Sequence, residues 1–212
     1  MTRIHPITIK GPGPAPYRIL LPLYSDGFDF SLIAISDDEG KTWQPSRPLV
    51  SLGGVQPSLV QKTDGTVVAY MRYNGPPPNR VMKSESVDGG LTWSRVEHTD
   101  LPNPGSSLEV IRLNNGDWLM VGNDTEKGRH SLAALISDDE GQTWKWKRHL
   151  EWERLSPEAG NFSYPSVIQM TDGSVGVTYS YGRPGQGSAI KWTRFDPEWI
   201  KEGCCDCSCQ SG

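Results

Sequence analysis

The sequence of 212 residues predicts an all-β fold, and more narrowly a β-propeller with about four blades. An eight-residue motif recurs three times, a hairpin pattern recurs out of phase with it, and glycine, proline and tryptophan are abundant, with 23, 17 and 8 residues. Many turns together with aromatic residues are typical of an all-β protein with short strands. A repeat of about 50 residues that holds about four strands is typical of a propeller blade.

The eight-residue motif has the form S-x-D-x-G-x-T-W and begins at Ser36, Ser86 and Ser137, which are 50 and 51 residues apart. We expect its Asp to accept hydrogen bonds from backbone N–H groups of its own turn, its Gly to adopt a positive φ, and its Trp to bury a ring between strands. We interpret the motif as structural. Its key residues are Asp38, Gly40, Trp43, Asp88, Gly90, Trp93, Asp139, Gly141 and Trp144.

The second pattern is an apolar run, a tight turn and another apolar run, and it covers residues 56–72, 106–123 and 164–180. Each turn contains Asp-Gly or Asn-Gly, at positions 64–65, 115–116 and 172–173. These dipeptides favour two-residue hairpin turns because both residues tolerate a positive φ. The strand that leads into each eight-residue motif brings the repeat to about four strands.

Composition narrows the possible partners. The formal net charge is −4 with both signs mixed, so we expect no nucleic-acid or membrane partner. The chain has no signal-peptide pattern and no apolar run of transmembrane length, and it gives no indication of the compartment. It also lacks the common nucleotide-binding and metal-binding motifs, so we expect neither a cofactor nor a metal.

The sequence predicts two regions, a propeller over residues 1–200 and a Cys-rich, disordered tail over residues 201–212. All four cysteines lie at positions 204, 205, 207 and 209, so the propeller region holds no possible disulfide. The segment CCDCSC could bind a soft metal such as zinc or copper(I), or it could be an appended tail without that role. We favour the second interpretation.

The repeated motif resembles the Asp box, or BNR (bacterial neuraminidase) repeat, of sialidases. The resemblance extends to LLPLYSDGFDFSLIAISDDEGKTW, QPSLV, AYMR, LPNPGSSLEVI, GRHSLA, YPSVIQ and VTYSY, which are similar to the second half of a predicted-neuraminidase branch of that superfamily. It implies a six-bladed sialidase-type propeller, of which this chain would form a partial ring. Missing N-terminal blades, or self-association, would complete the ring.

The resemblance also implies a set of site residues. Sialidases bind the substrate carboxylate with three arginines and attack the sugar with a tyrosine that a glutamate activates, while an aspartate serves as acid and base. Arg72 and Arg129 match the second and third arginines, and Tyr164 matches the nucleophile. Asn123 and Asp124, which precede Arg129, are further candidates for substrate binding. The first arginine and the acid/base aspartate have no counterpart in this chain.

The position of the activating glutamate is a departure from the family. It should lie about 16 residues before the second arginine, and this chain has Gln56 there. An amide cannot accept the phenolic proton, although it can hold Tyr164 by a hydrogen bond. Substitute bases on neighbouring blades would be Glu109, Asp124 or Glu126.

The function that the resemblance implies is that of an exo-α-sialidase-like glycoside hydrolase, which releases a terminal sialic or related acidic sugar from glycoconjugates. Guanidinium groups bind a carboxylate bidentately, and a neutral phenol avoids the repulsion that a carboxylate nucleophile would meet. We expect Arg72, Arg129 and Tyr164 to lie together at the same opening of the propeller. The alternatives are a non-catalytic Asp-box propeller that binds glycan or protein, and a glycosidase for another acidic sugar.

Overall fold

A computed structural model describes residues 1–11 and 16–203 of the chain. The predicted Cys-rich motif at 204–209 lies outside these residues. The described residues form sixteen strands in four antiparallel sheets and one short helix. They divide into two compact units, Met1–Gly105 and a second unit that begins at Ser106. The prediction of an all-β chain with about four blade-like sheets is confirmed.

The first unit contains two sheets. The first sheet has the order β1-β2-β3-β4, with β5 also paired to β3, and the second has the order β6-β7-β8-β9. The strands are β1 (Ile7–Ile9), β2 (Arg18–Ser25), β3 (Phe30–Ser36), β4 (Gln44–Pro45), β5 (Leu49–Val50), β6 (Gly54–Gln61), β7 (Val67–Tyr73), β8 (Arg80–Ser86) and β9 (Glu97–Pro102). In the second sheet each strand pairs antiparallel with its neighbour in the chain, as in a β-meander.

The second unit contains a third sheet, β10-β11-β12-β13, and a fourth, β14-β15-β16. The elements are β10 (Glu109–Arg112), β11 (Trp118–Gly122), β12 (Ser131–Ser137), β13 (Trp146–Trp152), β14 (Asn161–Gln169), β15 (Val175–Arg183), β16 (Gly187–Phe195) and the helix α1 (Pro197–Lys201). Asp196 caps α1 by accepting the Glu198 N–H at 2.9 Å, and Pro197 suits its first turn. No helix in the described part of the chain is long and apolar enough to span a membrane.

Each unit has its own apolar core. Side chains alternate between the two faces of a strand, and β2 shows the resulting alternation of buried and half-buried residues. The core of the first unit joins the first and second sheets and includes Leu20, Ile33, Ile35, Leu59, Ala69 and Met71. The core of the second unit joins the third and fourth sheets and includes Leu119, Val121, Leu132, Phe162, Val167 and Val177.

The hairpin turns differ from the prediction by one residue. Lys62 N–H donates to the Thr66 carbonyl at 2.8 Å, and equivalent bonds close the other two hairpins, so each loop has three residues rather than two. Gly65, Gly116 and Gly173 have φ of 93°, 96° and 88°. A three-residue loop needs a left-handed residue only at its last position, and glycine supplies it there.

The three Asp boxes share one hydrogen-bond pattern. In the first, Asp38 accepts the Thr42 N–H at 2.8 Å, the Thr42 hydroxyl at 2.6 Å and the Ser36 hydroxyl at 2.9 Å. These bonds favour the ionised carboxylate, led by the one from the Thr42 hydroxyl, and they lower the pKa of Asp38 to about 2. Asp88 and Asp139 have the same partners in their own boxes.

Trp43 does not bury its ring between strands as predicted, whereas Trp93 is partly buried and packs against the core of the first unit. Trp43 is 45% exposed, and its indole N–H donates to the Gly40 carbonyl at 3.0 Å. A Cβ on Gly40 would lie 3.6 Å from the ring. The ring therefore covers its own turn, and Trp93 bonds to Gly90 in the same way at 3.1 Å.

Candidate functional site

The predicted site residues lie at one end of their sheets. In the second sheet, Arg72 is near the end of β7, and the Asp box follows the far end of β8. In the third sheet, Asn123 follows β11 directly, and the Asp box follows the far end of β12. Within each of these sheets the structural turn and the candidate residues are therefore at opposite ends. Arg129 lies in the loop between β11 and β12, two residues before β12 begins.

In the first unit, Gln56 occupies a β-bulge. Its φ is 58°, and the pairing of β6 with β7 shifts register between Val55 and Ser58. A left-handed residue at a bulge turns its side chain away from the direction that regular alternation would give. Gln56 is 4% exposed, and positive φ at a residue that is not Gly, Asn or Asp marks local strain.

The Gln56 side chain contacts the predicted clamp arginine. Arg72 Nη1 donates to Gln56 Oε1 at 3.4 Å, and Arg72 Nη2 donates to Asn74 Oδ1 at 3.1 Å. Both acceptors are neutral amide oxygens, and their positions orient the guanidinium. Arg72 is 9% exposed, and a guanidinium can bind a carboxylate through two parallel hydrogen bonds.

In the second unit, Tyr164 occupies the equivalent bulge. Its φ is 57°, and the pairing of β14 with β15 shifts register between Ser163 and Ser166. The Arg129 guanidinium carbon lies 5.0 Å from the centroid of the Tyr164 ring, a cation–π distance. The structure thus brings together the predicted third arginine and the predicted nucleophile, both half-buried.

Backbone hydrogen bonds hold Arg129 and Tyr164 in this relation. The Phe162 N–H, two residues before Tyr164, donates to the Arg129 carbonyl at 2.7 Å. Asn123 Nδ2 donates to the Phe162 carbonyl at 2.8 Å and to the Ser131 carbonyl at 2.6 Å. Asn123, which is 3% exposed, therefore fastens both ends of the arginine loop to β12 and β14.

The Asp124 carboxylate is engaged within its own sheet. Its Oδ1 accepts the Ser131 hydroxyl at 2.5 Å, and its Oδ2 lies 3.0 Å from both His149 Nε2 and Lys147 Nζ. Burial disfavours the charged carboxylate, but the bonds from His149 and Ser131 outweigh it and hold the pKa of Asp124 well below its ordinary value. This arrangement suits an anchor for the β11–β12 loop, and its predicted role in substrate binding stays a prediction.

The other candidate bases differ in exposure. Glu109 is 1% exposed, and its Oε2 accepts the Val167 N–H at 2.8 Å, which links β10 to β14. Glu126 is exposed in the β11–β12 loop. Among the described residues, no group of three His, Cys, Asp or Glu side chains could hold a metal ion.

Sequence reasoning missed the two bulges and the buried Ser107. Gln56 and Tyr164 each lie nine residues before the turn glycine and are each followed by Pro-Ser, so a repeated Q/Y-P-S signal was available. Ser107 lies at the same distance before Gly116 and is fully buried. Aligning the three hairpins position by position would have shown that Gln56, Ser107 and Tyr164 occupy equivalent positions.

The fold and the Asp boxes define the class of protein. Antiparallel four-stranded sheets joined in chain order, with an S-x-D-x-G-x-T-W turn after the third strand, are blades of a sialidase-type β-propeller. Residues 7–177 match the family model of the BNR repeat-like domain. The chain belongs to this family, and the predicted family resemblance is confirmed.

The chain is similar in sequence to proteins named as sialidases. The chain is 27% identical over 178 residues to an anhydrosialidase of Macrobdella decora. The matched region covers 76% of this chain and 23% of the relative. The chain is also 28% identical over 115 residues to a sialidase of Clostridium perfringens, covering 43% of this chain and 30% of that protein. The chain thus spans less than a third of either curated relative.

A solved structure confirms the fold class. The intramolecular trans-sialidase of Ruminococcus gnavus, in complex with oseltamivir carboxylate, has a TM-score of 0.75 at 22% identity. The match covers 94% of this chain and 44% of that chain. At this level of identity the likeness establishes the sialidase-type propeller fold.

Proposed function

We propose that this protein binds and processes a terminal acidic sugar, sialic acid or a close relative, as an exo-α-sialidase-like glycoside hydrolase. The observation that carries the proposal is the Arg129 guanidinium 5.0 Å from the Tyr164 ring, in a chain whose curated relatives are named sialidase and anhydrosialidase. The guanidinium can bind the carboxylate of the sugar, and the phenol beside it can react with the anomeric carbon that carries this carboxylate.

The chemistry assigns each residue a role. The Arg129 guanidinium would bind the carboxylate through two parallel hydrogen bonds and so fix the orientation of the ring. The Tyr164 oxygen would attack the anomeric carbon as the bond to the leaving oxygen breaks, and its phenolic proton must pass to a base. Arg72, which donates to two amide oxygens in the first unit, is itself proposed as a carboxylate ligand.

Gln56 favours a second candidate function, which is glycan binding without turnover. Gln56 stands where the family has its activating glutamate, and its amide oxygen accepts a hydrogen bond from Arg72. An amide has no acid–base capacity near neutral pH, so it cannot take the phenolic proton. General-base catalysis contributes about 10²- to 10⁴-fold, and its loss alone would reduce a sialidase to a slow enzyme or a lectin-like binder.

The variants Gln56→Glu and Tyr164→Phe separate the two candidates. The full chain is assayed for hydrolysis of a fluorogenic sialoside and for binding of oseltamivir carboxylate by calorimetry. The proposal expects binding by the wild type, a rise of about 10²-fold or more in turnover for Gln56→Glu, and loss of that gain in the Gln56→Glu/Tyr164→Phe double variant.

Each outcome has a defined meaning. Binding without turnover, in the wild type and in Gln56→Glu, supports the glycan-binding alternative. Absence of both binding and turnover contradicts the acidic-sugar proposal as a whole. Gln56→Asn serves as the matched control, because it keeps an amide at this position and should not raise turnover. A fluorogenic glucuronide in parallel tests whether another acidic sugar is preferred.

A further inference from the structure

The strand that carries Tyr164 has a sheet neighbour on one side only. β14 is the first strand of the fourth sheet and pairs with β15. Backbone groups on its other edge are bonded from outside the sheet, because a buried N–H or C=O group without a hydrogen bond costs free energy. Tyr164 lies at the bulge of this strand, where the register with β15 shifts. Side chains that bond to this edge near the bulge therefore help to set the position of Tyr164.

Two side chains from the third sheet bond to the backbone of β14, one on each side of Tyr164. Asn123, just after β11, donates through Nδ2 to the carbonyl of Phe162 at 2.8 Å, two residues before Tyr164. Glu109, on β10, accepts through Oε2 the N–H of Val167, also at 2.8 Å and three residues after Tyr164. The backbone of the bulge is thus held at one point on either side.

The side chain of Glu109 lies in a closely packed setting. It is 1% exposed, and its backbone pairs with Val121 of β11. Val121 and Val167 both belong to the apolar core of the second unit. Side chains in such a core are held in defined rotamers by their neighbours. The bond from Val167 to Glu109 therefore ties β14 to a fixed point of the third sheet.

The bulge that carries Gln56 has such a bond on one side only. The Ser31 hydroxyl donates to the Gly54 carbonyl at 3.1 Å, two residues before Gln56. Leu59 lies three residues after Gln56, and no side chain among the described residues accepts its N–H. The first of the two bonds is therefore common to both bulges. The second, through a buried carboxyl group, is present at the bulge that carries the tyrosine.

We propose that Glu109 is a positioning residue for Tyr164. Its bond with Val167 fixes the strand after the bulge, and this holds the phenol ring 5.0 Å from the Arg129 guanidinium carbon. A reacting group that is misplaced by about 1 Å can lose about 100-fold in rate. The role is exerted through the backbone and needs no contact between the carboxyl group and the phenol. The inference rests on the proposed function in one respect, that Tyr164 is the group that reacts.

The test replaces Glu109 with residues that keep or lose the acceptor. Glu109→Gln keeps an oxygen that can accept the Val167 N–H, whereas Glu109→Leu fills similar space without one. The full chain is labelled with 3-fluorotyrosine, and the fluorine NMR resonance of Tyr164 is assigned by its absence in Tyr164→Phe. We expect this resonance to keep its wild-type position in Glu109→Gln and to move or broaden in Glu109→Leu. The measurement requires neither a sugar nor turnover.

A second measurement uses the Gln56→Glu background, in which the proposed function expects turnover of a fluorogenic sialoside. In that background Glu109→Leu should lower kcat about 100-fold, because Tyr164 is misplaced. KM should stay nearly unchanged, because Arg129 still binds the carboxylate. Glu109→Gln should retain most of the turnover, since its side chain can still accept the Val167 N–H.

Arg148→Ala is the matched control. Arg148 Nη1 donates to the Trp199 carbonyl at 2.6 Å in the same unit, so its loss should lower the melting temperature. It should leave the Tyr164 resonance and kcat unchanged. Glu109→Asp serves as a second variant if Glu109→Leu does not fold. It keeps the carboxyl group on a side chain one methylene shorter, and it should also move the Tyr164 resonance.

Three results would overturn the inference. An unchanged Tyr164 resonance in Glu109→Leu and Glu109→Asp would mean that the bond to Val167 does not position the ring. Equal changes in Glu109→Leu and Arg148→Ala would mean a general effect of lost stability. Equal changes in Glu109→Leu and Glu109→Gln would assign the effect to the carboxyl group itself and not to the bond with Val167. If Gln56→Glu shows no turnover, the hydrolase proposal fails, while the fluorine resonance still decides whether Glu109 positions Tyr164.

Discussion

Gln56 in the second sheet and Tyr164 in the fourth stand at the same place in their sheets, and the two places share one backbone. Both residues have left-handed φ, 58° and 57°, both lie at a bulge between the first and second strands, and both precede Pro-Ser. Each lies next to an arginine, but the contacts differ. Gln56 accepts a hydrogen bond from Arg72, while Tyr164 presents its ring to Arg129.

The difference shows that the backbone of the sheet determines where the residue lies, whereas its side chain determines the chemistry. A bulge with left-handed backbone sets the direction of the side chain, and its strain is tolerated because the hydrogen-bonded strands on either side hold the backbone in place. An amide at this position can orient a cation, and a phenol can in addition become a nucleophile. Substitutions at equivalent places in the two units should therefore have unequal effects.

The largest expected effect is on ligand affinity at Arg129. Arg129→Ala should weaken binding of an acidic sugar about 100-fold, because a carboxylate loses a charge-assisted, bidentate partner worth about 3 kcal/mol. Calorimetry with oseltamivir carboxylate measures it. Arg112→Ala, at an exposed arginine in the same unit, is the control and should leave affinity unchanged. Equal affinities of Arg129→Ala and the wild type would remove the basis for a carboxylate site at Tyr164.

The next effect concerns how each arginine is supported. Asn123→Ala should reduce the free energy of unfolding by about 2 kcal/mol, because two buried backbone carbonyls lose their donor. Asn74→Ala removes only a side-chain acceptor of Arg72 and should cost less than about 1 kcal/mol. Urea denaturation at pH 7 measures both. Similar losses in the two variants would contradict the view that Asn123 supports the Arg129 loop more strongly than Asn74 supports Arg72.

The third effect is a pH-dependent contribution of Asp124 to the stability of the second unit. Asp124 has a folded-state pKa below its unfolded value of about 3.9, so its contribution is fully present above that pH and is lost as the pH falls through the folded-state value. Asp124→Asn should lower stability by about 1.5 kcal/mol at pH 7, a modest loss because Lys147 and His149 are partly exposed and solvent screens their interaction with the carboxylate. The deficit should shrink below about pH 4. A deficit that is constant from pH 7 to pH 2 would assign it to packing instead.

The sequence predicted the parts of the fold that depend on local chemistry. The Asp-box turns, the hairpins and the four sheets follow from residues close together in the chain, such as Asp38 with Thr42. The bulges were not predicted, because a positive φ at Gln56 or Tyr164 is imposed by the register of the neighbouring strand. The role of Asn123 was also only partly foreseen, since its partner at Phe162 is 39 residues away.

The smallest expected effect is the loss of stability on replacing an Asp-box aspartate, a feature that the two units share. Asp38 and Asp139 have the same hydrogen bonds in the two units, and in both cases those bonds, led by the one from the threonine hydroxyl, lower the carboxyl pKa to about 2. Because the folded-state pKa is depressed, the stabilisation is present at neutral pH and is lost as the pH falls from about 4 toward 2. Asp38→Asn and Asp139→Asn should each lower the urea midpoint at pH 7 by less than Asp124→Asn does, and by similar amounts, because both boxes are exposed to solvent. The difference between the wild type and each variant should shrink as the pH falls toward 2. Clearly different changes in the urea midpoint of the two variants would show that the Asp box is not an equivalent structural element in the two units. Gln56 and Tyr164 could then no longer be compared as residues at equivalent positions of equivalent sheets.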